Sequence, residues 1–531
     1  TAYLRGQPDR DLRLENIDIT TESALLRLTT SGSLSLVRPG RRGPQPSSRF
    51  QVLLETEHLG ELVSLYNGRV PFPATAQAQG TLTGSLGEGF RIDDVVANAA
   101  GKHARLQATG QVEELTAPDG PWVEFMTQVT TDQLSPFLKA YGLELPHSGR
   151  ASASAHVSGR PRDHHVNDID LDIQSGPLTL KATGSIGPLG KKVIYNLPFT
   201  AHTDDIKTLV EPFGLSLPVT GEGQGQAVLT GKHRDLHVTG IDLDIQSGPL
   251  TLKSTGSIGP LGKKVIYNLP FTAHTDDIKT LVEPFGYTLP LTASGQVEAA
   301  LSGAHGALAL TDLSGEASSA FGTASVTGTI ASPFGQADPD LTAQATVGDL
   351  SALGPLFDLS LEEYEGIGVT GSARIQHAQG RINLFGLRGE VSGESITIGR
   401  FSGEVPDITR WGTASLAIDL EVDDLARFAR PLHLNPSYHA PATLKASLVG
   451  ATEPGAPVFV TLEASTEALT ARVNGQVSAL EKDAGFDLKG HFETTDVSAL
   501  NHLLDTGFPG EGPVSASGTV RRARGSNQTL I

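Results

Sequence analysis

Three acidic side chains at alternate positions, Asp168, Asp170 and Asp172 in the sequence DIDLDIQSG, have the spacing of the first ligands in a calcium-binding loop. Such a loop also needs a glycine at its sixth position and a bidentate Glu at its end. Here hydrophobic residues occupy the positions between the acids, which is the pattern of an amphipathic strand with its acids facing water. A second copy of this stretch has Gly240 in place of Asp168. We therefore predict a strand here and no metal site.

Two glycine-rich stretches look superficially like phosphate-binding loops. GEGQGQ at 221–226 follows a predicted helix and opens a predicted strand, whereas a dinucleotide fingerprint follows a strand and opens a helix. GPLGKK at 187–192 lacks the Ser or Thr that follows the lysine of a Walker loop. Strand glycines and a lysine-bearing turn are the simpler interpretations of these two stretches.

The chain shows no arrangement of residues typical of an active site. His164 and His165, or His233 and His237, could bind a metal, but neither pair has the helical carboxylate partner of a zincin. There is no G-x-S-x-G elbow and no cysteine nucleophile. We expect a protein that is not an enzyme and that needs no cofactor or metal.

Composition narrows the classes of partner. The 531 residues include 60 Gly, 32 Pro and no Cys, and the net charge is −19. This charge argues against nucleic acid as a partner and disfavours flat adsorption on anionic head groups, although acyl chains could still enter an apolar pocket. No run of about 18 apolar residues is present, and the chain begins at Thr1. We expect a segment of a longer protein whose membrane anchor lies outside it.

The chain is repetitive. Residues 169–214 and 241–286 are identical at 45 of 46 positions, the exception being Ala182 against Ser254. Fainter copies share the same register at spacings of 72 or 75 residues, as expected for a repeat architecture. The predicted units are 1–55 (a partial first unit), 56–130, 131–202, 203–274, 275–346, 347–421, 422–493 and 494–531 (a partial seventh repeat).

A short helix is predicted at the start of each unit. In TDDIKTLVEPFG, Ile206, Leu209 and Phe213 lie on one helical stripe, and Thr203 with Asp204 would cap its N-terminus. A helix of roughly 8 to 10 residues is too short to persist alone in water, so its stripe must pack on an apolar surface.

About four strands are predicted to follow each helix. The alternation in KKVIYNLPFTAHT is typical of a half-buried antiparallel strand, and Gly and Pro separate this segment from its neighbours. We predict a mainly β protein, a long twisted antiparallel sheet of about seven units of 72–75 residues, each with one short helix. One face of this sheet is apolar throughout.

Large exposed apolar patches are rare, so an apolar face of this extent must be covered. Two arrangements would cover it. The sheet could close on a dry core, or it could stay open as a trough whose apolar floor contacts an apolar ligand. The candidate lining residues are Leu178, Leu180, Val193, Tyr195, Leu197 and Phe199, with their copies Leu250, Leu252, Val265, Tyr267, Leu269 and Phe271. The amino-acid sequence by itself is compatible with both arrangements.

The repeat TDDIKTLVEPFGLSLPVTGEGQGQAVLTG, followed by HVTGIDLDIQSGPLTLKATGSI, resembles those of the AsmA-like superfamily of bacterial envelope proteins, which are bridge-like lipid transfer proteins. The resemblance extends from about residue 10 to about residue 525, although 360–365 depart from the usual Leu-Pro exit.

This resemblance implies a taco-shaped β-groove that carries phospholipids through the periplasm between the inner and outer membranes. It also implies phospholipid acyl chains as ligands, an inner-membrane anchor, and membrane-protein partners at the two ends. The alternative is a structural or adhesive β-rod of the cell envelope with a closed, dry core.

Overall fold

The structure is a computed structural model, and the chain in it is mainly β. It describes residues 3–5, 12–36, 48–65, 70–85, 89–140, 148–189, 193–210, 220–232, 235–261, 264–279, 292–333, 337–353, 365–378, 381–394, 396–407, 413–429, 439–450, 457–478, 485–498, 501, 507, 509–522 and 529–530. The chain forms two compact units, residues 1–269 and 270–531.

The described part of unit 1 is an antiparallel meander with three short helices. Its elements are β1 (Tyr3–Arg5), β2 (Leu12–Glu22), β3 (Arg27–Leu36), β4 (Ser48–Thr56), α1 (Leu59–Ser64), β5 (Ala74–Ser85), β6 (Gly89–Gly101), β7 (Arg105–Glu113), β8 (Trp122–Thr131), α2 (Leu134–Ala140), β9 (Gly149–Gly159), β10 (His164–Ser175), β11 (Leu178–Leu189), β12 (Ile194–Thr203), α3 (Ile206–Val210), β13 (Glu222–Lys232), β14 (Asp235–Ser247) and β15 (Leu250–Gly259). Strand β16 (Ile266–Thr275) begins in unit 1 and ends in unit 2.

Each strand from β2 to β14 pairs antiparallel with the strand before it and the strand after it. Four strands separate α1 from α2, and four more separate α2 from α3. The predicted strands after α3 are confirmed, because β13 to β16 coincide with the four segments delimited by Gly and Pro in the sequence.

Unit 2 continues the same kind of meander. Its elements are β17 (Ser294–Ala304), β18 (Ala307–Ser319), β19 (Gly322–Ala331), β20 (Asp338–Val347), a 3-10 helix (Leu350–Leu353), β21 (Gly368–Ala378), β22 (Arg381–Ser392), β23 (Ile396–Val405), β24 (Ser415–Val422), α4 (Leu425–Ala429), β25 (Ala442–Val449), β26 (Val458–Ser465), β27 (Leu469–Val477), β28 (Phe486–Thr494), β29 (Val514–Arg522) and β30 (Thr529–Leu530). From β17 to β30, each strand pairs antiparallel with its neighbours in sequence.

In each unit, no pairing among the described residues joins the first strand to the last, so the described sheet is open. Strand β12 shows the predicted alternation clearly. Tyr195, Leu197 and Phe199 are half-buried, whereas Asn196 and Thr200 on the other face are exposed. We use "apolar face" below for the side of each sheet that carries residues such as Tyr195, and "polar face" for the other side.

From β2 to β22, a left-handed residue interrupts every fourth strand. It lies at a β-bulge and has a φ between 51° and 61° in each case; these residues are Asn16, Asp94, Asp168, Gly240, Asp312 and Gly386. Gly, Asn and Asp adopt this conformation at the lowest cost. The exchange of Asp168 for Gly240 between the two copies is therefore explained by backbone geometry.

This geometry predicts a ranked mutational effect at Gly240. Gly240→Val should lower the free energy of unfolding by about 1–2 kcal/mol, because a β-branched residue is strained at a positive φ. Gly240→Asp should cost clearly less, since Asp occupies the equivalent position 168. A Cβ at Gly240 meets no atom within 4 Å, so the difference isolates backbone strain. Urea unfolding of both variants measures it, and equal losses would contradict the explanation.

The N-terminus of α3 is capped one residue later than predicted. Thr203 is the buried last residue of β12, and its Oγ1 accepts a hydrogen bond from Asp205 N at 3.3 Å. Asp205 is the cap, because its Oδ1 accepts from Lys207 N at 3.1 Å and Thr208 N at 3.3 Å. The hydrogen bond from the Thr208 hydroxyl, followed by these backbone bonds and the Lys207 charge, lowers the pKa of Asp205 despite opposing desolvation.

At five helix starts, a backbone hydrogen bond joins the helix to the chain that leads into the next strand. Ile206 N donates to Gly221 O at 2.8 Å, and Leu425 N donates to Ala440 O at 2.9 Å. The same bond recurs with donors Ile278, Leu350 and Val497. The first turn of a helix has no internal acceptor for its N–H groups, so these bonds satisfy donors that would otherwise stay unpaired.

The helices pack on the ends of the strands. Leu134 of α2 is 3% exposed. A Cβ added to Gly295 of β17 would lie 2.7 Å from Ile278 Cδ1, which shows how closely Ile278 covers that strand. Helix α1 has six residues, fewer than predicted. The side chains of Leu209 and Phe213, which complete the predicted stripe, lie outside the part of the chain that the structure describes.

A ladder of alternating charges crosses the polar face of unit 2. In register from β22 to β27, directly opposite residues on successive strands are Glu390, Arg400, Asp419, Lys445, Glu463 and Arg472. The last pair forms an ion pair with 3.0 Å between Arg472 Nη2 and Glu463 Oε1. Opposite charges directly across neighbouring strands stabilise the pairing, whereas like charges destabilise it.

Candidate functional site

The structure places the predicted lining residues on the apolar face. Leu178 and Leu180 belong to β11, Val193 directly precedes β12, and Tyr195, Leu197 and Phe199 belong to β12. The second set has the equivalent positions on β15 and β16; Tyr267 and Leu269 lie in unit 1 and Phe271 in unit 2. All twelve side chains are half-buried, and none is fully buried.

Tyr195 is part of a row of side chains that runs across the strands. It lies opposite Ile186 of β11 and Gly231 of β13. From Ile186 the row continues through Val166 of β10 to Val157 of β9. Residues opposite each other on one face are close neighbours, so the row is a continuous apolar strip.

A second row starts at Leu197. Leu197 lies opposite Leu229 of β13, which faces Val238 of β14, and Val238 faces Ile258 of β15. This row adds a parallel apolar strip over four successive strands. Sequence alternation alone identified Leu197 but not its partners, because β-bulges set the register.

Small residues flank the large ones. Phe199 lies opposite Ala182 on one side and Ala227 on the other, and both alanines are 6% exposed. The floor of the apolar face therefore consists of buried alanines and glycines between larger side chains that remain partly exposed. Our sequence reasoning did not name these small floor residues, although they occupy the same alternate positions along their strands.

The apolar face ends at a row of hydroxyl groups beside the helices. Leu178 lies opposite Ser175 and Thr203, and Leu250 lies opposite Ser247. The three hydroxyl residues are at most 5% exposed. Ser247 Oγ donates to Thr220 O at 2.8 Å, so the hydroxyl is satisfied where the face meets the helix edge.

In the described part of unit 1, the backbone of each strand lies closest to its neighbours in sequence, with α1 added on β5 and α2 on β9. Across the described residues, the largest apolar side chains below 2% exposure are Val405 and Val458, both in unit 2. A closed core would bury large side chains of the Tyr195 and Leu197 kind more completely.

An open cavity of about 920 Å³ lies on the polar face of unit 2. Its walls include Arg388, Glu390, Arg400, Asp419 and Lys445 of the charge ladder and its surroundings. None of the twelve predicted lining residues borders this or the three smaller described cavities. Cations and carboxylates alternate strand by strand here, so their charges largely balance.

The motifs considered for chemistry lie in ordinary strand positions. Asp168 is the left-handed residue of β10, and Asp172 Oδ2 lies 4.0 Å from Lys181 Nζ. GEGQGQ falls mostly within β13, after α3, as predicted. Within the described ranges, no group of three or more His, Cys, Asp or Glu side chains could hold a metal ion.

Histidines pair with nearby acids. His165 Nε2 lies 3.7 Å from Asp163 Oδ1, and His202 Nε2 lies 2.9 Å from Asp204 Oδ1.

Of the helices that the structure describes, none is both long and apolar enough to span a bilayer. No protein-family model matches the chain, and no curated protein or solved structure is similar to it.

Proposed function

We propose that this chain is a non-enzymatic conduit that carries phospholipids along the apolar face. One observation supports the proposal most strongly: apolar rows continue from strand to strand, yet all twelve lining side chains are only partly buried. An apolar surface of this kind is costly in water and needs a cover. Acyl chains supply such a cover without any specific polar contact.

The same arrangement would let acyl chains move along the apolar face. Continuous apolar strips offer similar contacts at every step, so an acyl chain would gain or lose little free energy as it advances. The head group would stay in water beside the sheet, because burying it without partners is costly. Transport of this kind needs no site of high affinity and no catalytic residue.

We further infer the seven-unit repeat and the taco-shaped groove of the AsmA-like proteins. The four-strand spacing of the helices and the recurring left-handed bulges support the repeat. By the same resemblance, we place the protein in the periplasm, anchored in the inner membrane by a segment outside this chain, where it would connect the inner and outer membranes.

A structural β-rod with a dry core is the second candidate. The packing of Val405, Ala414 and Val458, which are at most 1% exposed, favours it locally in unit 2. The position of the described cavities on the polar face also fits a rod better than a trough.

Native mass spectrometry combined with lipid extraction separates the two candidates. A conduit purified without strong detergent should carry more than one phospholipid per chain, and acyl chains should account for the added mass. A rod should be free of lipid, soluble and monomeric under the same conditions. Lipid-free protein that also fails to take up phospholipid from vesicles would contradict the conduit.

A further inference from the structure

Unit 1 exposes large apolar side chains where hairpins β11–β12 and β15–β16 turn. Leu189 and Ile194, at the two ends of the first turn, are 39% and 49% exposed. Leu261 and Ile266 have the same positions in the second copy and are 37% and 52% exposed. We call these four residues the hairpin edge. Equivalent side chains are exposed in both copies, so the exposure recurs with the duplicated sequence.

The hairpin edge is also locally basic. Ile194 lies directly opposite Lys232, the exposed last residue of β13. Lys264 is exposed two residues before Ile266. Asp235 lies directly opposite Lys232, and its Oδ1 is 3.1 Å from His237 Nε2.

The opposite edge, where the helices begin, has a different character. Its strand ends are buried, as Thr203 at 4% and Ser247 at 2% exposure show. It carries the carboxylates of Asp204 and Asp205. Exposed aliphatic side chains beside exposed lysines therefore distinguish the hairpin edge within a chain whose net charge is −19.

We propose that the hairpin edge docks on the surface of a bilayer that contains anionic phospholipids. Aliphatic side chains that enter the head-group region and lysines that meet lipid phosphates are the two contributions that hold proteins at such a surface. This inference goes beyond the proposed function, which concerns the path of lipids and not the part of the protein that faces a membrane. Either the docking proposal or the conduit proposal can be contradicted by experiment without the other.

Co-flotation with vesicles tests the docking surface. The intact chain should float with vesicles of phosphatidylglycerol in phosphatidylcholine and much less with phosphatidylcholine alone. The double variant Lys232→Glu with Lys264→Glu should bind the anionic vesicles at least about 30-fold more weakly, since each lysine near such a surface contributes about a factor of five. Added salt should weaken binding of the intact chain, because the attraction is screened.

Two further variants separate the apolar contribution from a general surface effect. Ile194→Ser with Ile266→Ser should reduce binding to anionic vesicles several-fold at unchanged circular dichroism. Ile19→Ser is the matched control, because Ile19 of β2 is also 52% exposed but lies away from the hairpin edge. It should bind like the intact chain.

Three results would overturn the docking proposal. They are equal flotation with neutral and anionic vesicles, unchanged binding of the lysine variant, and an equal loss from Ile19→Ser. A protein partner as the true occupant would give the first or second result. If the protein does not float but phospholipid can be extracted from it, the docking proposal is contradicted and the conduit proposal is not.

Discussion

Leu197→Asp is expected to stop phospholipid movement past β12 while leaving the strand content unchanged. Leu197 lies on the apolar face opposite Leu229 and is only half-buried, so a carboxylate there can still reach water in the folded protein. An acyl chain that passes the carboxylate must displace part of its hydration, at a cost of several kcal/mol. A barrier of that size slows passage by about 100-fold. Tyr195→Asp, in the neighbouring row, should behave in the same way.

The control lies in the same strand. Asn196→Asp adds the same charge between these two positions, on the exposed polar face, and should leave lipid movement unchanged. Transfer of fluorescent phospholipid between vesicles and bound lipid per chain measure the effect, with far-ultraviolet circular dichroism as the test of folding. Loss of folding in Leu197→Asp alone would point to a closed core, and equal slowing by Asn196→Asp would contradict a one-sided path.

Removal of residues 203–274 should give a folded protein that carries less lipid. Strand β12 has the sequence of β16, so the junction of His202 with Thr275 reproduces a sequence already present in the chain. The pairings β9–β10, β10–β11 and β11–β12 are all retained. Repeat proteins tolerate such deletions because each unit contacts mainly its neighbours.

The expected readouts are an unchanged strand signal per residue and a drop in bound phospholipid of roughly the share that one unit contributes. A deletion of 71 residues that starts one residue before a bulge, 167–237, is the matched control, since it leaves one extra residue ahead of the bulge and shifts the fused strand by one position against its neighbours. If the control folds and the in-register variant does not, the repeats do not behave as interchangeable units. Unchanged lipid content in the in-register variant would contradict a lipid path along every unit.

Sequence periodicity predicted the mainly β fold and the faces of strands such as β12, because a period of two follows directly from strand geometry. It could not predict the register between strands, which depends on bulges at residues such as Asp168 and Gly240. The signal was present in the sequence, as an Asp-to-Gly exchange between two nearly identical copies. We interpreted this exchange as the loss of a cation ligand instead of as a left-handed backbone position.

The helix caps show a second limit. Thr203 and Asp204 are good capping residues by type, but the burial of Thr203 at the end of β12 leaves Asp205 as the cap. Burial depends on where the strand ends, which local propensity does not fix. Likewise, alternation shows that Tyr195 and Leu197 share a face, but it contains no information about what covers that face.

The alternating ladder from Glu390 to Arg472 has a consequence for folding order. The strands of a repetitive chain resemble one another, so a nascent strand could pair with a neighbour two positions away. In the ladder that mistake places Glu390 beside Asp419, or Arg400 beside Lys445, and like charges repel at this distance. Within these six strands, the alternating charges therefore disfavour a pairing that skips one strand.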